Sequence, residues 1–167
     1  MINLFDASEV NVRSLRYLIA STRGHCGRCG EETRLVALCL PPGHEVFELD
    51  EDAPDEVNDG FWSSFPRHVL LFHVNYLPDA VLRRLHQATP SYDFDPSDEV
   101  SCWANHCEHC GRAQDDNELF CEPEGAFLPA SAAGARLIRL VAVDEPLEAG
   151  AAGFAYEPEY FDAMVRG

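Results

Sequence analysis

Apolar positions come in short runs along most of this chain, and helical spacing is confined to two short stretches. Residues 15–20 predict a strand that runs into Thr22, Arg23 and Gly24, and 33–40, aliphatic and β-branched, predict its returning partner. Pro41, Pro42 and Gly43 end that partner, and 44–49 can form a further short strand. The run 68–74 reads as a buried strand. His68 and His73 lie five apart on it and should face opposite sides, one buried and one exposed. Pro78 suits the first turn of a helix reaching about Ala88, with Val81, Leu82, Leu85 and Ala88 on one face. Residues 92–98 read as loop, with a solvated acidic turn at 93–99, and 101–105 and 119–121 as the segments entering and leaving a turn. A further strand is expected over 136–143. A short terminal helix over 158–165 would put Phe161, Met164 and Val165 on one side. The stretches 130–135 and 149–153 stand out only as small-residue runs. Strands dominate and do not alternate regularly with helices, which gives an α+β class of mainly antiparallel strands. The length, 167 residues, suits a single domain spanning 1–167.

Residues 45–59 carry eight acids and no base, with Pro54, Asn58, Asp59 and Gly60 as turn signals. An exposed acidic loop over 45–60 is expected. Phe61, Trp62 and Phe65 follow at once. A return to the core is the plainer reading of these aromatics, and a partner-binding patch is the other.

Two segments share one form: Cys26-Gly27-Arg28-Cys29-Gly30 and Cys107-Glu108-His109-Cys110-Gly111. Thiolates three residues apart reach one ion if the chain between them turns tightly, and glycine after the second cysteine tolerates the positive φ of such a turn. Two pairs complete a tetrahedron of sulfur. The expectation is one structural Zn2+ per chain, held by Cys26, Cys29, Cys107 and Cys110. Other readings weighed are a redox CxxC, which normally opens a helix after a strand, and a catalytic site recruiting His25, His106 or His109 and keeping one position open. Cys39 reads as a small buried hydrophobe, whereas Cys102 and Cys121 could each replace a nominal ligand.

These segments resemble the knuckles of zinc ribbons, over about 17–40 and 104–121. The 77 residues between Cys29 and Cys107 depart from a compact ribbon. The resemblance therefore implies a split ribbon, with knuckles at 22–32 and 104–112 and an inserted strand–helix lobe over about 45–101. Zinc closing so long a loop implies that chelation loosens the whole domain. The phrase from Ala104 to Gly111 is also similar to bacterial proteins with paired cysteine motifs and no assigned activity.

Seven cysteines behind an N-terminus with no basic, then apolar, start suggest a reducing, cytoplasmic setting. No apolar run approaches the roughly 20 residues of a membrane span. The balance is 29 acids against 12 arginines, with no lysine and a net charge of −17. That charge disfavours nucleic acid and anionic membranes, and the missing lysine excludes side-chain Schiff-base chemistry. No nucleophile elbow, phosphate-binding glycine loop or H-E-x-x-H motif occurs, and the acidic stretch from Asp93 lacks the glycine and glutamate of a calcium loop. The sequence therefore points to a non-enzymatic protein with structural zinc, acting through contact with a protein partner of basic character, in the manner of an immunity or inhibitor protein. The alternatives are a small zinc enzyme with a mixed Cys/His site and, behind it, a nucleic-acid-binding ribbon.

Overall fold

The computed structural model describes residues 10–49, 60–97 and 101–167. Its elements are β1 (Val12–Ser14), β2 (Tyr17–His25), β3 (Glu32–Leu40), β4 (Glu45–Leu49), β5 (Gly60–Ser64), β6 (Val69–Tyr76), α1 (Asp79–Ala88), β7 (Tyr92–Asp95), β8 (Cys102–Asn105), α2 (Asp116–Phe120), α3 (Ala132–Ala135), β9 (Arg139–Val143), β10 (Leu147–Tyr156) and β11 (Val165–Arg166). The fold is α+β, a large and mainly antiparallel sheet with few helices. The strands run in the order β11-β9-β2-β3-β6-β10-β1-β4-β5, with β8 branching from β6 and β7 from β8.

β3 explains its own unbroken apolar run, because both faces are covered. Val36, Leu38 and Leu40 join Val81 and Leu85 of α1 in one core, while Leu35, Ala37 and Cys39 join Phe120, Phe127, Ile138 and Phe161 in another. The face predicted for α1 is the one it buries. From the expected insert at 45–101, β6 lies at the middle of the sheet, paired with β3, β10 and β8.

Several expectations need correction. Glu45–Leu49, read both as a short strand over 44–49 and as the start of an acidic loop over 45–60, is strand β4 paired with β5, so the strand reading holds there; residues 50–59 lie outside the described residues, as do 1–9 and 98–100. Residues 92–95 form a strand because Tyr92 and Phe94 pair with Asn105 and Trp103 across the hairpin. Residues 119–121 belong to a helix end, capped at the start by the Asp115 side chain accepting from the Asn117 amide. The terminal segment is a single 3-10 turn, Phe161–Ala163, and Val165 sits exposed in a strand instead of sharing a buried face. The small-residue run 149–153 is the middle of β10, the longest strand among the described residues. A Cβ on Gly153 would collide with the Phe72 ring, so the smallness reflects an aromatic lying on the strand. His68 and His73 are both half-buried: His68 lies just before β6, outside the strand, and His73 turns to φ 49, which breaks the strand's alternation.

The aromatic trio divides. Phe65 packs on the core, and Trp62 lies under the Arg13 guanidinium at 4.0 Å from its ring centre. Phe61, 52% exposed on edge strand β5, does not return to the core.

Candidate metal centre

β2 and β3 pair from Leu18/Cys39 to His25/Glu32, so residues 26–31 cap a long hairpin. There the Cys26 amide donates to the Glu31 carbonyl at 2.9 Å and the Gly30 amide to the Cys26 carbonyl at 3.0 Å, with Gly30 at φ 75. The second knuckle repeats this bond for bond: Cys107 to Arg112 at 2.9 Å, Gly111 to Cys107 at 3.0 Å, and Gly111 at φ 75. In each, the amide two residues on (Arg28, His109) donates to the first sulfur at 3.4 Å. Both sequence glycines thus occupy the left-handed turn their position predicts.

The two turns meet because β3 and β8 share one side of β6. β3 pairs with β6 at Leu38 to Leu40, and β8 takes over at Val74/Trp103. The wedge that opens between β3 and β8 is closed by one side chain. Buried Asn105 accepts from the Val36 amide at 2.9 Å through Oδ1 and donates to the Val36 carbonyl at 2.9 Å through Nδ2, imitating a strand neighbour. Nearer the tip, Glu108 accepts from the Arg34 amide at 3.0 Å and pairs with its guanidinium at 2.6 Å, while the Glu108 amide donates to Thr33 Oγ1 at 3.1 Å. Gln114 joins the knuckles from the far side, donating to Cys26 Sγ at 3.4 Å and accepting from the Gly27 amide at 3.3 Å.

The result is a cluster of Cys26, Cys29, Cys107 and Cys110, whose sulfurs all lie within 4.8 Å of one another. Cys26 Sγ is 3.6 Å from Cys110 Sγ, and Cys29 Sγ is 3.7 Å from Cys107 Sγ. A tetrahedron with metal–sulfur bonds of about 2.3 Å has edges of about 3.8 Å. The cross-knuckle spacings therefore match a shared ion, and they exceed a disulfide bond length of about 2.05 Å by a wide margin. All seven cysteines are free thiols.

The electrostatics also fit a cation. The amides of Cys29 and Arg28 lower the Cys26 thiol to about 5, and those of Cys110 and His109 lower Cys107. Cys29 moves the other way, to about 12. The Glu31 amide favours its thiolate, but burial and the sulfurs of Cys107, Cys26 and Cys110 outweigh it. The turns thus invite negative charge while the sulfurs repel one another once charged, and a dication among them resolves that conflict.

The other candidates lie elsewhere. His25 is exposed, His106 bonds through Nδ1 to the Ala104 carbonyl at 3.0 Å, and His109 donates from Nε2 to the Glu32 carbonyl at 3.1 Å; none belongs to the cluster. Cys102 is buried opposite Asp95 with its thiol pushed up to about 11 by burial first, then by Asp116 and Asp95. Cys121 is exposed at the end of α2. Cys39 is a core residue whose thiol burial pushes up to about 12. Neither CxxC opens a helix, since the first turns into β3 and the second into an isolated bridge, His106/Ala113.

Asn105, Glu108, Thr33, Arg34 and Gln114 carry the docking of the knuckles, and the motif reading passed over all of them. The available signal was weak: Asn105 is a polar residue at an inward strand position two before a ligand. Among the described residues no helix is long and apolar enough to cross a membrane. Compared with protein-family models, curated proteins and solved structures, the chain finds no match, so its function rests on its own geometry.

Proposed function

We propose that the four cysteines hold one zinc ion in a structural role, tying the β2–β3 tip to the knuckle after β8. On this reading the chain is a non-enzymatic cytoplasmic protein that acts by contact with a protein partner. The observation that carries the metal role is the closed sulfur set. Four thiolates at tetrahedral spacing saturate zinc and leave no position for water or substrate, which is the arrangement of structural sites. Seven free thiols suit a reducing compartment.

The contact reading draws on surface chemistry. A net charge of −17 steers basic partners and repels nucleic acid. Phe61 stands exposed on edge strand β5, opposite Glu48 of β4, so an aromatic anchor sits beside negative charge. The test has two parts. Cobalt(II) in place of zinc should give the intense visible and near-ultraviolet absorption of a four-thiolate tetrahedral site; a spectrum of an octahedral or nitrogen-rich site would refute the metal role. Neutralising Glu48, Asp50, Glu51 and Asp52 together should slow capture of a basic partner, with the loss shrinking as salt rises. Unchanged capture kinetics at low salt would refute the contact role.

A further inference from the structure

A cleft of about 260 Å³ lies where the start of α2 meets the β7–β8 hairpin and His73 of β6. Three acids line it: Asp116 is buried, Asp95 half-buried and Asp115 exposed, so negative charge runs from floor to rim. No arginine lines the cleft, and none of the three acids forms an ion pair with a described residue. Each commits one oxygen to a backbone amide. Asp116 Oδ2 accepts from His73 at 2.8 Å, Asp115 Oδ1 from Asn117 at 2.8 Å and Asp95 Oδ1 from Ser97 at 3.3 Å.

Asp116 sets this cleft apart from an ordinary acidic surface. It is 7% exposed, and its Oδ1 accepts from no described residue. That oxygen is not among the sealed polar atoms of the interior, so it opens on the cleft that Asp116 lines. Burial is the main cause raising the Asp116 pKa to about 6, outweighing the His73 amide and charge, and Asp115 adds to it. The same field reaches the Cys102 thiol on the cleft wall, pushed up to about 11 by burial first, then by Asp116 and Asp95. A buried carboxylate with an open oxygen and no cation beside it costs the empty fold stability, and a positive donor from outside relieves that cost.

We propose that this cleft binds one guanidinium group, which donates to Asp116 Oδ1 at the floor and to Asp95 and Asp115 nearer the rim. Spacing selects the guanidinium. Three acceptors around an ammonium nitrogen at about 2.8 Å lie about 4.6 Å apart. Among the described residues, no three of the cleft's His, Cys and Asp ligand atoms lie within 4.8 Å of one another. A compact ammonium or a metal ion therefore cannot reach all three acids, whereas a guanidinium fans its N–H donors across a plane. A space of about 150 Å³ takes benzene, so the planar head and the first carbons of its stem fit here. The proposal deepens the contact reading and rests on it only for one source of the group, an arginine of a basic partner.

The test titrates the full chain with methylguanidinium and with methylurea, its neutral shape match. It follows the His73 amide resonance, because that amide donates to Asp116. Methylguanidinium should bind at one saturable site at least tenfold more tightly than methylurea, the discrimination expected of hydrogen bonds between charged groups. It should move the His73 amide more than any amide outside the cleft. Asp116→Asn keeps an acceptor for His73 and should fold with a Tm at least as high at pH 8, yet bind methylguanidinium at least tenfold more weakly. Glu148→Gln removes an equal charge from an exposed position on β10 and should bind as the native chain does. N-acetylarginine N-methylamide separates the sources: a cleft serving a partner's arginine binds it as well as methylguanidinium, and one serving a free guanidinium compound rejects it. Methylurea or methylammonium binding as tightly, equal weakening by Asp116→Asn and Glu148→Gln, or a shift centred away from His73 overturns the proposal. Salt-dependent capture of a basic partner that survives such a failure leaves the contact reading standing without this cleft.

Discussion

Replacing Asn105 with alanine tests the claim that one buried amide brings the two knuckles together. Asn105 exchanges two hydrogen bonds of 2.9 Å with the backbone of Val36, and both residues are 1% exposed. Asn105→Ala removes both bonds and strands an N–H and a C=O in the interior. Each stranded group costs about 1–3 kcal/mol, so the pair comes to about 4 kcal/mol. A water admitted into the vacated space would restore part of this and set a lower end of about 2 kcal/mol. Asn105→Asp should be at least as damaging, because it keeps the acceptor for the Val36 amide but buries a charge facing the Val36 carbonyl. Urea unfolding of the metal-bound protein measures the loss. Competition with a chromophoric chelator measures its second consequence: the knuckles, no longer docked in advance, should give up metal at least tenfold more readily. A loss below about 1 kcal/mol together with unchanged metal retention would refute the bridging role of Asn105.

Three further outcomes follow from the packing and the charges. Asp116 is mostly buried and accepts from the His73 amide at 2.8 Å; burial raises its pKa from 3.8 to about 6, outweighing the His73 amide and charge. Its protonated form is favoured in the folded chain, so its stability contribution is full below about pH 4 and lost as pH rises through about 6. Asp116→Asn should accordingly raise stability by up to about 3 kcal/mol at pH 8, with the gain fading toward pH 4; a pH-independent difference in urea unfolding would contradict this. Gly153→Ala should destabilise by about 2 kcal/mol through collision with Phe72 and be partly relieved by Phe72→Leu, as thermal unfolding of the double variant would show. Chelating the metal should cost about 4 kcal/mol of global stability by releasing a long loop. It should lower hydrogen-exchange protection across the domain, β6 and β10 included; protection lost only within a few residues of each cysteine would contradict the shared site.

The metal motif was legible in the sequence because its chemistry is local. Two cysteines, two spacers and a glycine define a turn whatever lies around it, and both turns formed as read. The α1 face and the twice-covered β3 were legible for the same reason, since a helical period and an unbroken aliphatic run carry their meaning within a few residues. What escaped depends on distant partners. Residues 149–153 look featureless until the Phe72 ring is laid across Gly153. Residues 92–95 became a strand because β8 lay ready to pair with them. Asn105 is an ordinary polar residue until β3 and β8 diverge around it.

The central claim is that four named thiolates share one zinc ion, and the direct measurement is metal content of protein purified without added metal, for the native chain and each single Cys→Ser variant. One equivalent of zinc in the native chain is predicted. It should be lost or sharply reduced on replacing Cys26, Cys29, Cys107 or Cys110, and retained on replacing Cys39, Cys102 or Cys121. Full zinc occupancy in Cys107→Ser, with loss in Cys102→Ser or Cys121→Ser, would contradict the account.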